Sequence, residues 1–146
     1  MSIRTSIYKH LASDPLLLDM LADKPAEIGT GPGIYETWAA PGARFPYVNL
    51  TYSWTAGDHQ VKRNGILNVD IFSEGYDTTH IEAIETRIID LLDFHYFNDS
   101  DVGPVRIYLD NQTDIPEDEE NILHWNITFT VIHWRKSFIE RRTAAL

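Results

Sequence analysis

The chain has 146 residues, of which 43% are hydrophobic and 23% charged, so we expect a single globular domain with a core of its own. Its formal net charge of −10 argues against a protein that wraps nucleic acid, because that function needs Lys and Arg to neutralise phosphates. The chain has no cysteine, which excludes disulfides, thiol catalysis and Cys-based zinc sites and is typical of a protein made in a cytosol.

The hydropathy pattern does not predict a membrane protein. No apolar run approaches the roughly 20 residues that a membrane-spanning helix needs. The first residues, Met1-Ser2-Ile3-Arg4, lack the apolar stretch of a secretory signal peptide. We therefore expect no membrane partner.

Two helical segments are predicted at the start of the chain. Residues 3–12 carry apolar side chains at helical spacing, and Ser2 is a suitable N-cap. Asp14 and Pro15 then favour a new start, since Asp caps helices and Pro fits the first helical position. The pattern is consistent either with a first helix that is kinked at Pro15 or with a second, short helix.

The next 23 residues, 24–46, are predicted to be irregular. They contain four of the seven prolines and four of the eight glycines, too many for a long helix or strand. A short extended piece at residues 34–38 is the only regular element expected there. A loop of this length in a compact domain is usually functional or mobile.

A long β-hairpin is predicted after this loop. Residues 47–54 alternate between polar and apolar side chains, as a half-buried strand does, and residues 66–72 form its partner strand. Turn signals in residues 55–65, which include two Gly, predict a polar tip between the two strands.

The clearest predicted element is a helix over residues 77–94. Asp77 or Thr78 is a suitable N-cap, and Thr79 and Glu82 have the spacing of a capping box. Its apolar stripe predicts one face packed on the sheet. The stripe consists of Ile81, Ile84, Ile88, Leu91 and Leu92.

Two more strands are predicted to complete the sheet. Residues 105–109 form the first, and residues 122–135 form the second, in which apolar and polar side chains alternate strictly. The side chains predicted on the buried face of this last strand are Leu123, Trp125, Ile127, Phe129 and Val131. Residues 110–120, between the two strands, are expected to form an acidic loop.

The order helix, loop, hairpin, helix, strand, strand predicts an α+β fold. We expect a mainly antiparallel β-sheet with two helices packed on one face, and with a long hairpin and long loops. Residues 1–136 are assigned to a single domain and residues 137–146 to a C-terminal tail.

No motif predicts catalysis, a cofactor or a metal. The six histidines have no metal-ligand spacing, and the chain has no nucleophile elbow, phosphate loop or dinucleotide fingerprint. The glycine-rich residues 29–33 follow no predicted strand. Asp99 and Asp101, and the run 117–120, are acidic but lack the EF-hand pattern. We therefore predict that the protein is not an enzyme and needs no cofactor.

Two tryptophans and an uneven charge distribution suggest contact surfaces. Trp38, in the Gly/Pro loop, and Trp134, whose strand parity is opposite to that of Trp125, are either core residues or interface anchors. Residues 110–120 hold six acidic side chains, whereas the last twelve residues hold four of the twelve basic ones. These charges either pair between copies or are simply solvated. The interface candidates are Trp38, Trp134, Glu117, Asp118, Glu119, Glu120, Arg135, Lys136, Arg141 and Arg142.

Several segments, taken in their order along the chain, resemble a known family. They are Leu11-Ala12-Ser13-Asp14-Pro15-Leu16-Leu17, Ile34-Tyr35-Glu36, Phe45-Pro46-Tyr47-Val48, Gly65-Ile66-Leu67-Asn68-Val69-Asp70-Ile71-Phe72, Tyr76-Asp77, Leu91-Leu92-Asp93 and Ile127-Thr128-Phe129-Thr130-Val131. This combination resembles the tail-terminator, or tail-completion (head–tail joining), proteins of long-tailed bacteriophages. The resemblance covers residues 2 to about 136.

The resemblance implies a homohexameric ring that caps the head-proximal end of the tail tube, stops tube growth and joins the tube to the head. The implied partners are the tail-tube protein and the head–tail connector, with DNA passing through the lumen without specific binding. The implied location is a virion assembled in the cytoplasm of a host bacterium. The chain departs from the family in its longer acidic stretch and its C-terminal extension.

Two other functions are compatible with the sequence. One is that of another head–tail connector or tail-tube protein of a phage, which differs from a terminator in the assembly defect that its deletion causes. The other is that of a small-ligand-binding or enzymatic α+β domain in a cytosol. A deep pocket lined by convergent polar groups would favour the second function.

Overall fold

The computed structural model describes residues 2–25, 29, 31–55, 62–99 and 103–134. These residues form three helices and six strands, which are α1 (Ile3–Ala12), α2 (Pro15–Met20), β1 (Ile34–Glu36), β2 (Tyr47–Trp54), β3 (Lys62–Glu74), α3 (Thr79–Leu92), β4 (Tyr96–Asp99), β5 (Gly103–Ile115) and β6 (Ile122–Trp134). The strands build one sheet in the order β1-β2-β3-β6-β5-β4, in which only β1 and β2 are parallel. The predicted α+β class is confirmed, with three helices instead of two.

The start of the chain forms two separate helices. The Ser2 hydroxyl accepts a hydrogen bond from the Thr5 amide at 3.1 Å and so caps α1. The Asp14 carboxylate accepts one from the Leu17 amide at 2.9 Å, and Pro15 occupies the first turn of α2. Each helix therefore has its own N-cap, and the chain turns between the two helices instead of bending within one.

The core lies between α3 and one face of the sheet. Ile81, Ile84, Ile88 and Leu92 of α3 are fully buried, as are Ile127 and Phe129 of β6. This pairing of a helical stripe with an alternating strand face agrees with the prediction. Three residues differ from it, because Leu91, Leu123 and Trp125 are only partly buried at the margin of the core.

The N-cap of α3 is Thr78, one of the two predicted candidates, and its side chain makes no capping bond. Asp77 supplies the bonds instead, since one of its carboxylate oxygens accepts hydrogen bonds from the Thr79 amide at 3.0 Å and the Thr79 hydroxyl at 2.8 Å. The predicted capping box of Thr79 and Glu82 was wrong, because Thr79 is the first residue of the helix and not its N-cap.

Two strands are longer or newly present relative to the prediction. β4, for which no strand was predicted, pairs with the start of β5 from Tyr96 opposite Arg106 to Asp99 opposite Gly103. β5 runs six residues beyond its predicted end at Leu109, through a register shift between Leu109 and Asn111. β4 is too short to show an alternating pattern and the second half of β5 is mostly polar, so backbone pairing defines both strands where sequence alternation does not.

The irregular segment contains a shorter strand than expected. β1 ends at Glu36 because the next residue, Thr37, has a left-handed backbone with φ of 69°. The Ala22 amide donates to the Pro46 carbonyl at 2.9 Å, and the Gly33 amide donates to the Ala22 carbonyl at 2.7 Å. These bonds fix both ends of the described part of the segment beside the end of α2. No helix within the described residues is long and apolar enough to cross a membrane.

Candidate interaction surfaces

The two ends of the sheet carry opposite charge. β3 runs from Lys62 to Glu74 and pairs along its whole length with β6, so that Lys62 lies opposite Trp134 and Glu74 opposite Ile122. At about 3.3 Å per residue, these two ends are roughly 40 Å apart. The basic end includes Lys62, Arg63 and Arg106, and the acidic end includes Glu74, Asp77, Asp114, Glu117, Asp118, Glu119 and Glu120.

The basic tail candidates Arg135, Lys136, Arg141 and Arg142 lie outside the described residues. They follow Trp134, the last residue of β6, which lies at the basic end of the sheet. The last described residue before the tail therefore lies at the end of the sheet opposite the acidic turn.

The acidic stretch is part strand and part turn, where a single loop was predicted. Asp110 and Asp114 belong to β5, and residues 117–120, which we call the acidic turn, lead into β6. The amide of Ile122 donates to the Glu119 carbonyl at 3.1 Å and so closes this turn. Only the acidic turn has the irregular conformation that was predicted for the whole stretch.

His124 fixes the start of the acidic turn to the face of the sheet that the helices leave uncovered. Its Nδ1 lies 2.6 Å from a Glu117 carboxylate oxygen, and its Nε2 lies 2.8 Å from an Asp70 carboxylate oxygen. The ring also stacks on Phe72, with ring centres 4.1 Å apart. Because both carboxylates are acceptors, both hydrogen bonds form together when the imidazole is protonated on both nitrogens.

Polar side chains on neighbouring strands continue this uncovered face. Asn126 donates to Asp70 at 3.0 Å, and the Thr128 hydroxyl donates to Asn68 at 3.3 Å. These residues satisfy one another across β3 and β6, whose partners on this face are Asn68 with Thr128 and Asp70 with Asn126. The uncovered face is thus polar but has few unpaired charges among the described residues of its central strands.

Trp38 is 83% exposed, so the core alternative that the sequence allowed is wrong for this residue. The left-handed Thr37 turns the chain out of β1 immediately before it. Two hydrogen bonds hold this turn, from the Asn49 side chain to the Thr37 carbonyl at 3.0 Å and from the Thr37 amide to the Leu50 carbonyl at 2.8 Å. A left-handed backbone is unfavourable for a β-branched residue such as Thr37. Strained turns of this kind are common at functional sites, which makes Trp38 a candidate contact residue.

Trp134 is partly buried at the end of β6. It lies opposite Lys62 in the pairing of β3 with β6. Trp54 lies opposite Gly65 on the other face of the sheet, where the Arg63 guanidinium covers it 4.1 Å from its ring centre. The basic end of the sheet therefore carries tryptophan and basic side chains on both faces.

Both sides of the sheet have an open edge among the described residues. β1 covers β2 only from Val48 to Leu50, so residues 51–54 have a strand on one side only. β4 covers β5 only from Gly103 to Arg106, and the Ile107 and Leu109 amides donate to His95 and Asp93. Residues 110–115 of β5 then have β6 on one side and no described strand on the other.

Sequence reasoning missed the role of His124, Asp70 and Glu117 as one unit. The three residues lie on different strands or loops, and their proximity follows from the register that places Asp70 opposite Asn126. The alternation of β6 places His124 and His133 on opposite faces of the sheet, with His133 buried. Among the described residues, no group of three His, Cys, Asp or Glu side chains is arranged to hold a metal ion.

The comparison of folds finds a similar solved structure. It is a chain of the virion of a native gene transfer agent particle, which superposes with a TM-score of 0.71 at 13% sequence identity. The match covers 91% of this chain and 95% of that chain. At this identity the match shows that the two chains share a fold. No protein-family model and no curated protein matches the chain.

Proposed function

We propose that this chain is a structural protein of a phage-like virion. The observation that carries the proposal is the fold shared with a chain of the gene transfer agent virion over nearly the full length of both chains. The chain is then a subunit of an assembly and needs no catalytic site, cofactor or metal.

Within this class we propose the role of a tail terminator. Six copies form a ring at the head-proximal end of the tail, cap the tail tube and join it to the head connector. The resemblance of the ordered segments described above to the tail-terminator family supports this finer role. The protein is then assembled in the host cytoplasm and remains in the virion.

The two open edges of the sheet supply the contact that a closed ring requires. Rings form through heterologous interfaces, in which two different surfaces of the subunit are complementary. β2 is separated from β5 by three antiparallel pairings, so the two edge strands run in opposite directions. The edge of β5 in one copy can therefore extend the sheet of the next copy by antiparallel pairing with β2.

The offset between the two edges fits a curved, closed sheet. In the observed register Trp54 is level with Ile107, and Thr51 is level with Asn111. Bringing residues 51–54 against residues 110–115 therefore needs a shift of three to four residues, about 10–13 Å. Each copy adds four strand spacings to the sheet, three between β2, β3, β6 and β5 and one to the next copy, which together measure about 19 Å. Over this width the shift gives a strand tilt of about 30°, near the values of closed barrels.

The uncovered face suits a lumen through which DNA passes. Its central side chains are amides and hydroxyls bonded to one another, and its Asp70 carboxylate is occupied by His124 and Asn126. Lys62 and Arg106 lie on the same face at its basic end, so it is the central, amide and hydroxyl part of the face that offers phosphates no Lys or Arg among the described residues. With the helices on the outside, the ring would therefore let DNA slide without specific binding.

The opposite charges at the two ends of the sheet suit stacking along the tail axis. The basic tail, which contains Arg135, Lys136, Arg141 and Arg142, extends the basic end, and we propose that it contacts an acidic surface of a neighbouring subunit or tail protein. Trp134 beside it is the proposed apolar part of this contact.

Deletion of the gene in a phage that encodes this chain tests the finer role. Loss of a tail terminator gives overlong tails, visible by electron microscopy, and complementation with the intact gene restores their length. Free tails of normal length together with leaking heads would instead identify a head-completion or connector protein. Normal virions would contradict any structural role.

A further inference from the structure

A cleft with aromatic and cationic walls lies at the β1 edge of the sheet. Its volume is about 360 Å³. The Lys24 ammonium lies 5.5 Å from the ring centres of both Tyr8 and Tyr35, and the exposed Trp38 lies among the lining residues. The lining residues, which define the cationic cleft, are Thr5, Tyr8, Lys24, Ile34, Tyr35, Glu36 and Trp38.

Two polar groups of the cationic cleft have no partner within the described part of the chain. Lys24 contacts two aromatic rings but forms no ion pair with a described residue. The Tyr35 side chain is only 6% exposed, and its hydroxyl is buried without a hydrogen-bond partner. A carboxylate that enters the cleft would supply an acceptor to the ammonium and to the hydroxyl.

The charge around the cleft selects an anionic partner. Arg4 lies over the Tyr52 ring at 4.5 Å, and Arg44 lies close enough to Tyr35 to oppose the increase in the pKa of its hydroxyl that burial causes. With Lys24 these residues place three cations at or beside the cleft, whose lining includes one carboxylate, Glu36. Glu117 of the same chain also lies near, since it adds to the increase that burial causes in the pKa of Tyr47, whose ring contacts that of Tyr35.

The acidic turn is a rigid source of such carboxylates. Glu117 is tied to the sheet through His124, and the backbone bond between Ile122 and Glu119 closes the turn. Asp118, Glu119 and Glu120 are exposed and form no ion pair with a described residue. Their side chains are thus presented on a preformed turn, which lowers the entropy cost of docking.

The proposed ring brings the acidic turn of one copy to the cationic cleft of the next. In the proposed ring, residues 51–54 of one copy pair antiparallel with residues 110–115 of the next copy. If this pairing is followed along β2 towards its start, the chain beyond Ile115 of the second copy comes level with Val48 to Leu50 of the first. In the observed register this is the stretch of β2 that β1 covers. The acidic turn of one copy then lies beside β1 and its cleft in the neighbouring copy.

We propose that the acidic turn docks into the cationic cleft of the adjacent copy, with Lys24 and Tyr35 binding a carboxylate and Trp38 packing over the turn. This inference rests on the proposed ring, and it adds the residues that join one subunit to the next. It also assigns a purpose to the turn at Thr37, which presents Trp38 to a partner.

Disulfide trapping tests the contact directly, because the chain has no native cysteine. The full-length Lys24→Cys/Glu119→Cys variant should form disulfides between copies under mild oxidation and give a ladder of covalent oligomers on denaturing gels. The matched control Lys9→Cys/Glu119→Cys places the first cysteine on α1, outside the cleft. This control should remain monomeric on the gel.

A charge exchange tests the same contact without a covalent bond. Lys24→Glu should weaken self-association about tenfold or more, because like charges then face each other. Asp118→Lys/Glu119→Lys should weaken it similarly, and the variant that combines all three substitutions should regain most of the loss. Circular dichroism and melting temperature should be unchanged throughout, because these side chains are not in the core.

The outcomes separate this inference from the proposed ring. If the wild-type chain assembles but the Lys24→Cys/Glu119→Cys variant gives no intersubunit disulfide and the charge exchange restores nothing, the cleft contact is wrong and the ring stands. A disulfide formed within single chains would equally overturn the contact. If the wild-type chain stays monomeric at every concentration and with tail tubes, both the ring and the contact fail.

Discussion

Arg87 of α3 donates two hydrogen bonds to the carboxylate of Asp14, from Nε to one oxygen at 2.8 Å and from Nη2 to the other. The same carboxylate caps α2 through the Leu17 amide. One side chain therefore starts a helix and ties it to the helix that covers the sheet. The bidentate geometry makes this pair stronger than an ordinary surface pair.

Removal of the Asp14 carboxylate should destabilise the fold. We expect Asp14→Ala to lower the free energy of unfolding by about 1–3 kcal/mol, since it removes a helix cap and the partner of a partly exposed guanidinium. Chemical denaturation measures this loss. Asp19→Ala, on the exposed side of the same helix, is the control and should change stability little; equal losses in both variants would contradict the role of the pair.

The same carboxylate makes stability depend on acid. Hydrogen bonding to Arg87 holds the pKa of Asp14 below its usual value, so the folded state favours the ionised form. Its contribution is complete above the unfolded pKa of about 4 and is lost as the pH falls through the folded pKa. Melting curves from pH 5 to pH 2 should show a smaller loss in Asp14→Asn than in the wild type.

A stacked histidine pair adds a second pH dependence. The rings of His10 and His95 lie 3.8 Å apart, and burial, with a smaller effect of His10, lowers the pKa of His95. The unfolded chain therefore takes up a proton near pH 6.5 that the folded chain resists, and stability should fall as the pH drops below that value. His95→Gln should remove part of this slope, and an identical slope in both proteins would refute the assignment.

Ile88 should be a major contributor to the core. It is fully buried where α3 faces the sheet, so Ile88→Ala should destabilise by roughly 2–5 kcal/mol through lost burial and an unfilled cavity. Asp90→Ala, on the exposed side of the same helix, should have a small effect. An unchanged melting temperature in Ile88→Ala would show that this face is not core.

The basic tail should act in assembly rather than in folding. Truncation after residue 137 should leave the monomer folded and weaken assembly, with the largest loss at low salt, where charges are least screened. Single exposed pairs contribute only about 0–1 kcal/mol, so the effect depends on the cluster. Equal assembly of full-length and truncated protein across a salt series would reject this role, and an unfolded truncated monomer would place the tail in the core.

The elements that the sequence predicted correctly are those with a strong periodic pattern. The stripe of α3 and the alternation of β6 each report burial directly, and their packing followed from matching the two. β4 and the second half of β5 carry no such pattern. Both are held in the sheet by backbone pairing with strands that are themselves well defined. Pattern reasoning cannot detect a strand whose pairing is its main source of order.

The candidate contact sites were only partly predictable for a related reason. The exposed Trp38 was identified because a large aromatic residue in a Gly/Pro loop is unusual. No sequence pattern links Lys24 and Tyr35 to Trp38. The three residues meet in one cleft only through the tertiary fold. The link of Glu117 to Asp70 through His124 likewise depends on strand register, which one sequence without its fold does not specify.

The mass of the protein in solution, measured by light scattering together with symmetry from negative-stain images, tests the central claim most directly. We predict six copies in a closed ring, either free at high concentration or when mixed with tail tubes. A protein that remains monomeric under both conditions, or that forms open filaments, would contradict it.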